Sequence, residues 1–127
     1  MTKITAFEDI DAWRGARELT RLVYSLSGKG TFSRDFGLRN QICRAAVSIM
    51  SNIAEGYESD SRGAFIRYLR IAKGSAGEVR SQLYIALDQA YISLSEFDSL
   101  CDKTRKVASQ LSRLLTYLKN NVRTLER

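Results

Sequence analysis

Between Leu38 and Tyr57 the chain reads LRNQICRAAVSIMSNIAEGY. At helical spacing, Ile42, Ala46, Ile49 and Ile53 form one apolar stripe, and Cys43, Val47, Met50 and Ala54 form a second beside it. Only a narrow polar strip is left, carrying Arg44, Ser48, Ser51, Asn52 and Glu55. A helix this apolar has to be covered over most of its surface, by other helices or by other copies of the chain. Gly56 is placed to end it as a left-handed cap.

Upstream, Thr5 and Glu8 have the spacing of a capping box for a first helix. In that helix Ala12, Ala16, Leu19, Val23 and Leu26 recur at steps of three and four, with Arg14, Arg17, Glu18 and Arg21 opposite and Trp13 and Tyr24 at the edge. The loop SGKGTFSRDFG follows, and Phe32 and Phe36 are expected to tuck it onto the helices. Its Gly28-Lys29-Gly30 is not a phosphate loop: no upstream glycine stands at the required position, and Gly30 occupies the place of the Ser or Thr that should follow the lysine. Downstream, Ser61 caps a third helix expected to run to about Tyr91, with Phe65, Leu69, Ala72, Ala76, Val79, Leu83, Ala86 and Ala90 in heptad rhythm. The alanines, with Gly74 and Gly77 nearby, predict close approach of a neighbouring backbone. Ser95 with Asp98 opens a fourth helix through Phe97, Leu100, Thr104, Val107, Leu111, Leu114, Leu118, Val122 and Leu125. Four helices, short connections and no strand pattern predict an all-α, antiparallel up-down-up-down four-helix bundle, one domain over residues 1–127.

At 127 residues, with no proline and 44% hydrophobic residues, the chain is long enough for a core without staples. No apolar run approaches the ~20 residues of a membrane span, and MTKITAFEDI lacks the pattern of a secretory signal. A cytoplasmic protein with no membrane partner is expected. The absence of histidine excludes the familiar catalytic triads and most zinc sites. Glu8, Asp9 and Asp11, or Glu58 and Asp60, fall near helix starts, where acids oppose the helix dipole. Neither an enzyme nor a bound metal or cofactor is expected. Cys43 and Cys101 read as buried free thiols.

The net charge of +6 favours polyanions. From Lys103 onward, Lys103, Arg105, Lys106, Arg113, Lys119, Arg123 and Arg127 face only Glu126, once the acid at Asp102 has been passed. On the third helix Arg62, Lys73 and Arg80 flank the core face, and Arg67 and Arg70 lie further out. These five, with Arg113, Lys119 and Arg123, are the candidate nucleic-acid contacts, with Tyr68 or Tyr84 as a stacking face. A merely solvated helix face is the other reading of the same residues. Ser48, Ser51, Asn52 and Glu55 read as a register device, with Glu55 paired to an arginine of the first or third helix. Apolar residues beyond one stripe per helix (Ile66, Ile71, Tyr84, Ile85 and Ile92 on the third, Cys101, Ala108, Leu115 and Val122 on the fourth) predict self-association.

FEDIDAW and CRAAVSIMSNIAEGYESDSRGAFIRYLRIAKGSAGEVRSQLYIALDQAYIS together resemble the small bacterial four-helix-bundle proteins encoded in intervening sequences of 23S rRNA genes. The resemblance runs from Phe7 to about Ser93. The same superfamily includes the accessory protein of diversity-generating retroelements, which works with a reverse transcriptase and binds nucleic acid. What the resemblance implies is an all-α protomer in a homopentameric ring, without established enzymatic activity, in a family most of whose members have no assigned function; two hypotheses follow, a nucleic-acid-binding accessory protein with RNA or DNA and a reverse transcriptase as partners, and a scaffold binding only protein. Two departures are Met50, where the family has proline, and Ala64, where a capping-box Glu would stand.

Overall fold

The computed structural model describes residues 3–120. Four long helices account for most of them: α1 (Asp11–Ser27), α2 (Phe36–Glu58), α3 (Arg62–Asp88) and α4 (Leu94–Asn120), and there is no strand among the described residues. Val122, Arg123, Leu125, Glu126 and Arg127 lie outside the described residues.

The chain enters α1 through a 3-10 turn, Phe7–Asp9. Asp9, not Glu8, is the acid that closes it: Oδ2 accepts from Thr5 N at 2.9 Å, Thr5 Oγ1 at 3.0 Å and Ala6 N at 3.2 Å. The expected Thr5–Glu8 box does not start α1, because Ile10 is drawn into the core in extended conformation and separates turn from helix. Ala12, Ala16, Leu19 and Val23 are buried as their spacing predicts, and Leu26 is half-buried.

After α1, a 3-10 turn (Gly30–Arg34) buries Phe32, but Phe36 is 68% exposed at the start of α2 and tucks nothing. Asp35 caps α2 through Oδ1, which accepts from Leu38 N at 3.1 Å. Ile42, Ala46, Ile49 and Ile53 are buried, and Cys43, Met50 and Ala54 form a half-covered flank. Gly56 does not cap the helix, which continues to Glu58. It is buried where Phe65 and Tyr68 press closest: a Cβ there would lie 2.8 Å from Tyr68 Cβ and 2.9 Å from Phe65 Cδ1.

Ser61 Oγ accepts from Ala64 N at 3.1 Å and starts α3 as expected. Leu69, Ala72, Ala76, Val79, Leu83 and Ala86 are buried. Ala90 is not a core position. It lies past the helix end, exposed, at φ 60°, while Tyr91 N donates back to Ala86 O at 2.9 Å, the closing bond of a left-handed helix cap. Gly74 and Gly77 face open space, so the predicted backbone approach is not at those glycines. At α4 the cap is Ser93 with Glu96, each side chain accepting the other's backbone N–H (2.8 and 3.0 Å), rather than Ser95 with Asp98.

α1 packs on α2, α2 on α3, α3 on α4, and α4 on α1. One core cluster reaches from Ile10 to Leu118. Each of its fully buried leucines and isoleucines contributes about 1.5–3 kcal/mol against the entropy of ordering the chain.

Candidate nucleic-acid interface

Five of the predicted basic residues lie on α3. Arg67, Arg70 and Lys73 are exposed, whereas Arg62 and Arg80 are half-buried beside the core. Three ion pairs lie on α1 and α4. Arg14 meets Asp11 at 3.0 Å, Arg21 meets Glu18 at 2.6 Å and Arg105 meets Asp102 at 3.5 Å, each within one helix. Arg21 holds Glu18 below the usual carboxylate range, chiefly through their hydrogen bond. Arg17 lies over the Trp13 ring, 5.9 Å from its centre. Among the described residues, Arg67, Arg70, Lys73 and Arg80 have no such acid.

Arg80 reaches toward α4, where the buried Cys101 feels its charge. Burial pushes the Cys101 thiol up despite the opposing pull of Arg105 and Arg80. The Nε of Arg80 is buried without a hydrogen-bond partner. Tyr84 follows one turn later, 49% exposed, and meets Phe97 of α4 edge to face at 4.8 Å. Tyr68 is half-buried against the α2 end and offers less of its ring.

The other predicted cations do not join this set. Arg113 is exposed on α4 and opens, with Lys3, onto an apolar groove of about 630 Å³ lined by Ile10, Tyr57, Phe65 and Leu114. Lys119 is exposed in the last turn of α4, and Arg123 is outside the described residues.

The polar strip of α2 divides in two. Ser48 Oγ meets Ser75 Oγ of α3 at 2.9 Å, and Asn52 Nδ2 donates to Ser48 O at 2.8 Å and Oγ at 3.0 Å. Ser51 and Glu55 are exposed, and Glu55 makes no ion pair with an arginine among the described residues, because it points to solvent. Sequence reasoning missed the α3 half of this seam. Ser75 and Gln82, both buried, recur at heptad spacing, and Gln82 Nε2 lies 3.4 Å from both Gln41 Oε1 and Glu78 Oε2. That polar heptad was the available signal.

Among the described residues no three acids or thiols converge to hold a metal ion, and no helix is long and apolar enough to cross a membrane.

A crystal structure of a protein of unknown function from the S23 ribosomal protein family of Bacteroides thetaiotaomicron superposes with a TM-score of 0.74. The two share 25% identity over 82% of this chain and 97% of the other. None of the curated proteins matches the chain. The family model described as 23S rRNA-intervening sequence protein matches residues 8–113. With most of its length inside that match, the chain belongs to the 23S rRNA-intervening sequence protein family.

Proposed function

We propose that this chain is a non-enzymatic, oligomeric bundle protein that binds nucleic acid through basic helix faces, with α3 as the principal one. The observation that carries the reading is a run of cations on one helix outside any ion pair among the described residues: Arg67, Arg70, Lys73 and Arg80 have no acid partner, whereas Arg14 and Arg21 on α1 and Arg105 on α4 are each matched by an acid three residues away. Unpaired guanidinium and ammonium groups on an exposed face are available to phosphate oxygens without first breaking an ion pair. Arg113, Lys119 and Arg123 belong to the same proposal as a second, outlying group.

The protomer in this reading is a single cytoplasmic domain, an antiparallel up-down-up-down bundle. Two hydrogen bonds between α2 and α3 support the opposed direction of those helices, since Gln41 meets Gln82 and Ser48 meets Ser75. The homopentameric ring and the role beside a reverse transcriptase rest on the resemblance to the retroelement accessory protein. A ring would repeat the basic face and amplify its field.

The test is binding of labelled RNA and DNA across a salt series. Affinity should fall steeply, by about 0.9 in log affinity per log salt for each phosphate neutralised on duplex DNA. Replacing Arg67, Arg70 and Lys73 with glutamate should abolish binding with the helical content unchanged; a flat salt response counts against the reading. A sedimentation mass of one protomer at micromolar concentration would remove the ring.

The alternative scaffold reading has its own observation. Val47 on α2 and Ile71 and Ile85 on α3 are 39%, 52% and 46% exposed, an apolar surface that suits a protein partner. Loss of all nucleic-acid binding together with retained self-association would favour it.

A further inference from the structure

We infer that the α3 surface selects single-stranded over double-stranded nucleic acid, with Tyr84 as the platform on which one unpaired base stacks. This rests on the nucleic-acid reading above and adds the class of strand and the residue that discriminates it.

Three observations converge on Tyr84. Tyr84 is 49% exposed, so about half of the residue meets solvent. The ring is also held: Phe97, only 7% exposed, braces it from α4 at 4.8 Å between centres and 68° between planes. An edge-to-face contact supports a ring from one side and leaves its π-face for another partner. Finally, Arg80 stands four residues earlier on the same helix, about 6 Å along the axis, half-buried and in no ion pair among the described residues. Lys73 extends the line by two further turns. A base on Tyr84 therefore has cations within a nucleotide or two of its own phosphate.

The other exposed tyrosines lack this combination. Tyr24 is 53% exposed on α1, where Arg21 is already paired with Glu18 and Arg17 already covers Trp13. Tyr117, on α4, is already engaged in an interaction of its own.

The selectivity follows from what stacking requires. In a duplex both faces of each base are covered by its neighbours, so Tyr84 gains nothing unless a base is unstacked first. In a single strand the faces are free, and an aromatic platform accepts any base because each has a π-face. Phosphate contacts from Lys73 and Arg80 are common to both forms.

The test compares a fluorescently labelled oligothymidylate with its duplex with oligoadenylate, at fixed salt, on the full chain. Tyr84→Leu keeps Phe97 covered but removes the aromatic face, and Tyr84→Phe keeps the face. The expected result is a loss of about tenfold or more in single-strand affinity for Tyr84→Leu, little change in duplex affinity, and near wild-type behaviour for Tyr84→Phe. If Tyr84→Leu leaves single-strand affinity intact, or weakens both forms equally while melting as the wild type does, the stacking role is overturned and the basic face survives. If neither probe binds at low salt, both readings fall together.

Discussion

The Tyr91 hydroxyl donates to Asp35 Oδ2 at 2.9 Å while Asp35 Oδ1 accepts from Leu38 N at 3.1 Å, so one carboxylate ties the start of α2 to the turn after α3. Tyr91 also stacks on the buried Phe32 at 5.2 Å. Asp35→Ala removes an N-cap and a tertiary partner at once and should cost about 1–2 kcal/mol in urea unfolding. Tyr91→Phe keeps the cap and the stack and should cost less.

The same contact has a pH consequence. Hydrogen bonding to Asp35, aided by burial, raises the Tyr91 hydroxyl above its ordinary value of 10.0. A raised value favours the neutral phenol in the folded state. The contribution is therefore complete below pH 10 and disappears as pH rises through the folded value. Ultraviolet titration should show a late-ionising tyrosine that Tyr91→Phe removes.

Small residues on α3 and at the end of α2 separate by their surroundings. Gly74→Ala and Gly77→Ala add a methyl group into open space mid-helix and should each stabilise by about 0.5–1 kcal/mol. Gly56→Ala gains the same propensity but drives its Cβ into Tyr68 and Phe65, and should destabilise by about 1–3 kcal/mol. Ala90→Gly relieves a left-handed alanine and should raise stability by about 1 kcal/mol. Thermal melts of the four variants check the order.

The seam between α2 and α3 predicts unequal effects along one polar strip. Ser75→Ala deprives Ser48 of its partner across the helices and should cost about 1 kcal/mol. Glu55→Gln, on the solvent side, should leave stability within about 0.5 kcal/mol of wild type. A large loss for Glu55→Gln would show that the carboxylate has a partner in the assembled protein.

Thiol labelling should distinguish the two cysteines. Cys101 is 1% exposed and its thiol is raised above 9.0 by burial, so little of it is ionised or accessible at neutral pH. Cys43 is half-buried, 3.4 Å from Ser27 Oγ. Single-cysteine variants treated with a disulfide reagent should react at Cys43 first, and at Cys101 only on unfolding.

Most of the fold was legible because it depends on spacing. Leu69, Ala72, Ala76, Val79, Leu83 and Ala86 are buried where the heptad rhythm puts them, and a 3.6-residue period needs no tertiary information. The helix ends were less so. Gly56 was misplaced as a cap because a glycine reads alike as a terminator or as room for a neighbour, Ala90 as core because the heptad rhythm runs past the helix end, and Ser95 as a cap because Ser93 offers the same chemistry two residues earlier. Of the candidate site, the presence of Arg62, Lys73 and Arg80 beside the core face of the third helix and of Arg67 and Arg70 further out was visible in the sequence, but the lack of acid partners at Arg67, Arg70, Lys73 and Arg80 was not. Glu78 lies within reach on paper and is turned instead toward Gln82. The brace of Phe97 on Tyr84 was equally hidden, since it joins helices through a contact that no local pattern encodes.

Each ion pair described above joins residues three apart on one helix, and among the described residues none crosses from one helix to another. What holds helix to helix is chiefly apolar contact, with hydrogen bonds such as Ser48–Ser75, Gln41–Gln82 and Tyr91–Asp35, none of them an ion pair that dissolved ions would screen. Ionic strength should therefore act on the proposed attachment while sparing the scaffold. A high-salt wash during purification should strip carried-over nucleic acid from a protein that stays folded, and the ratio of absorbance at the nucleotide and protein bands, before and after that wash, reports whether the chain left the cell carrying any.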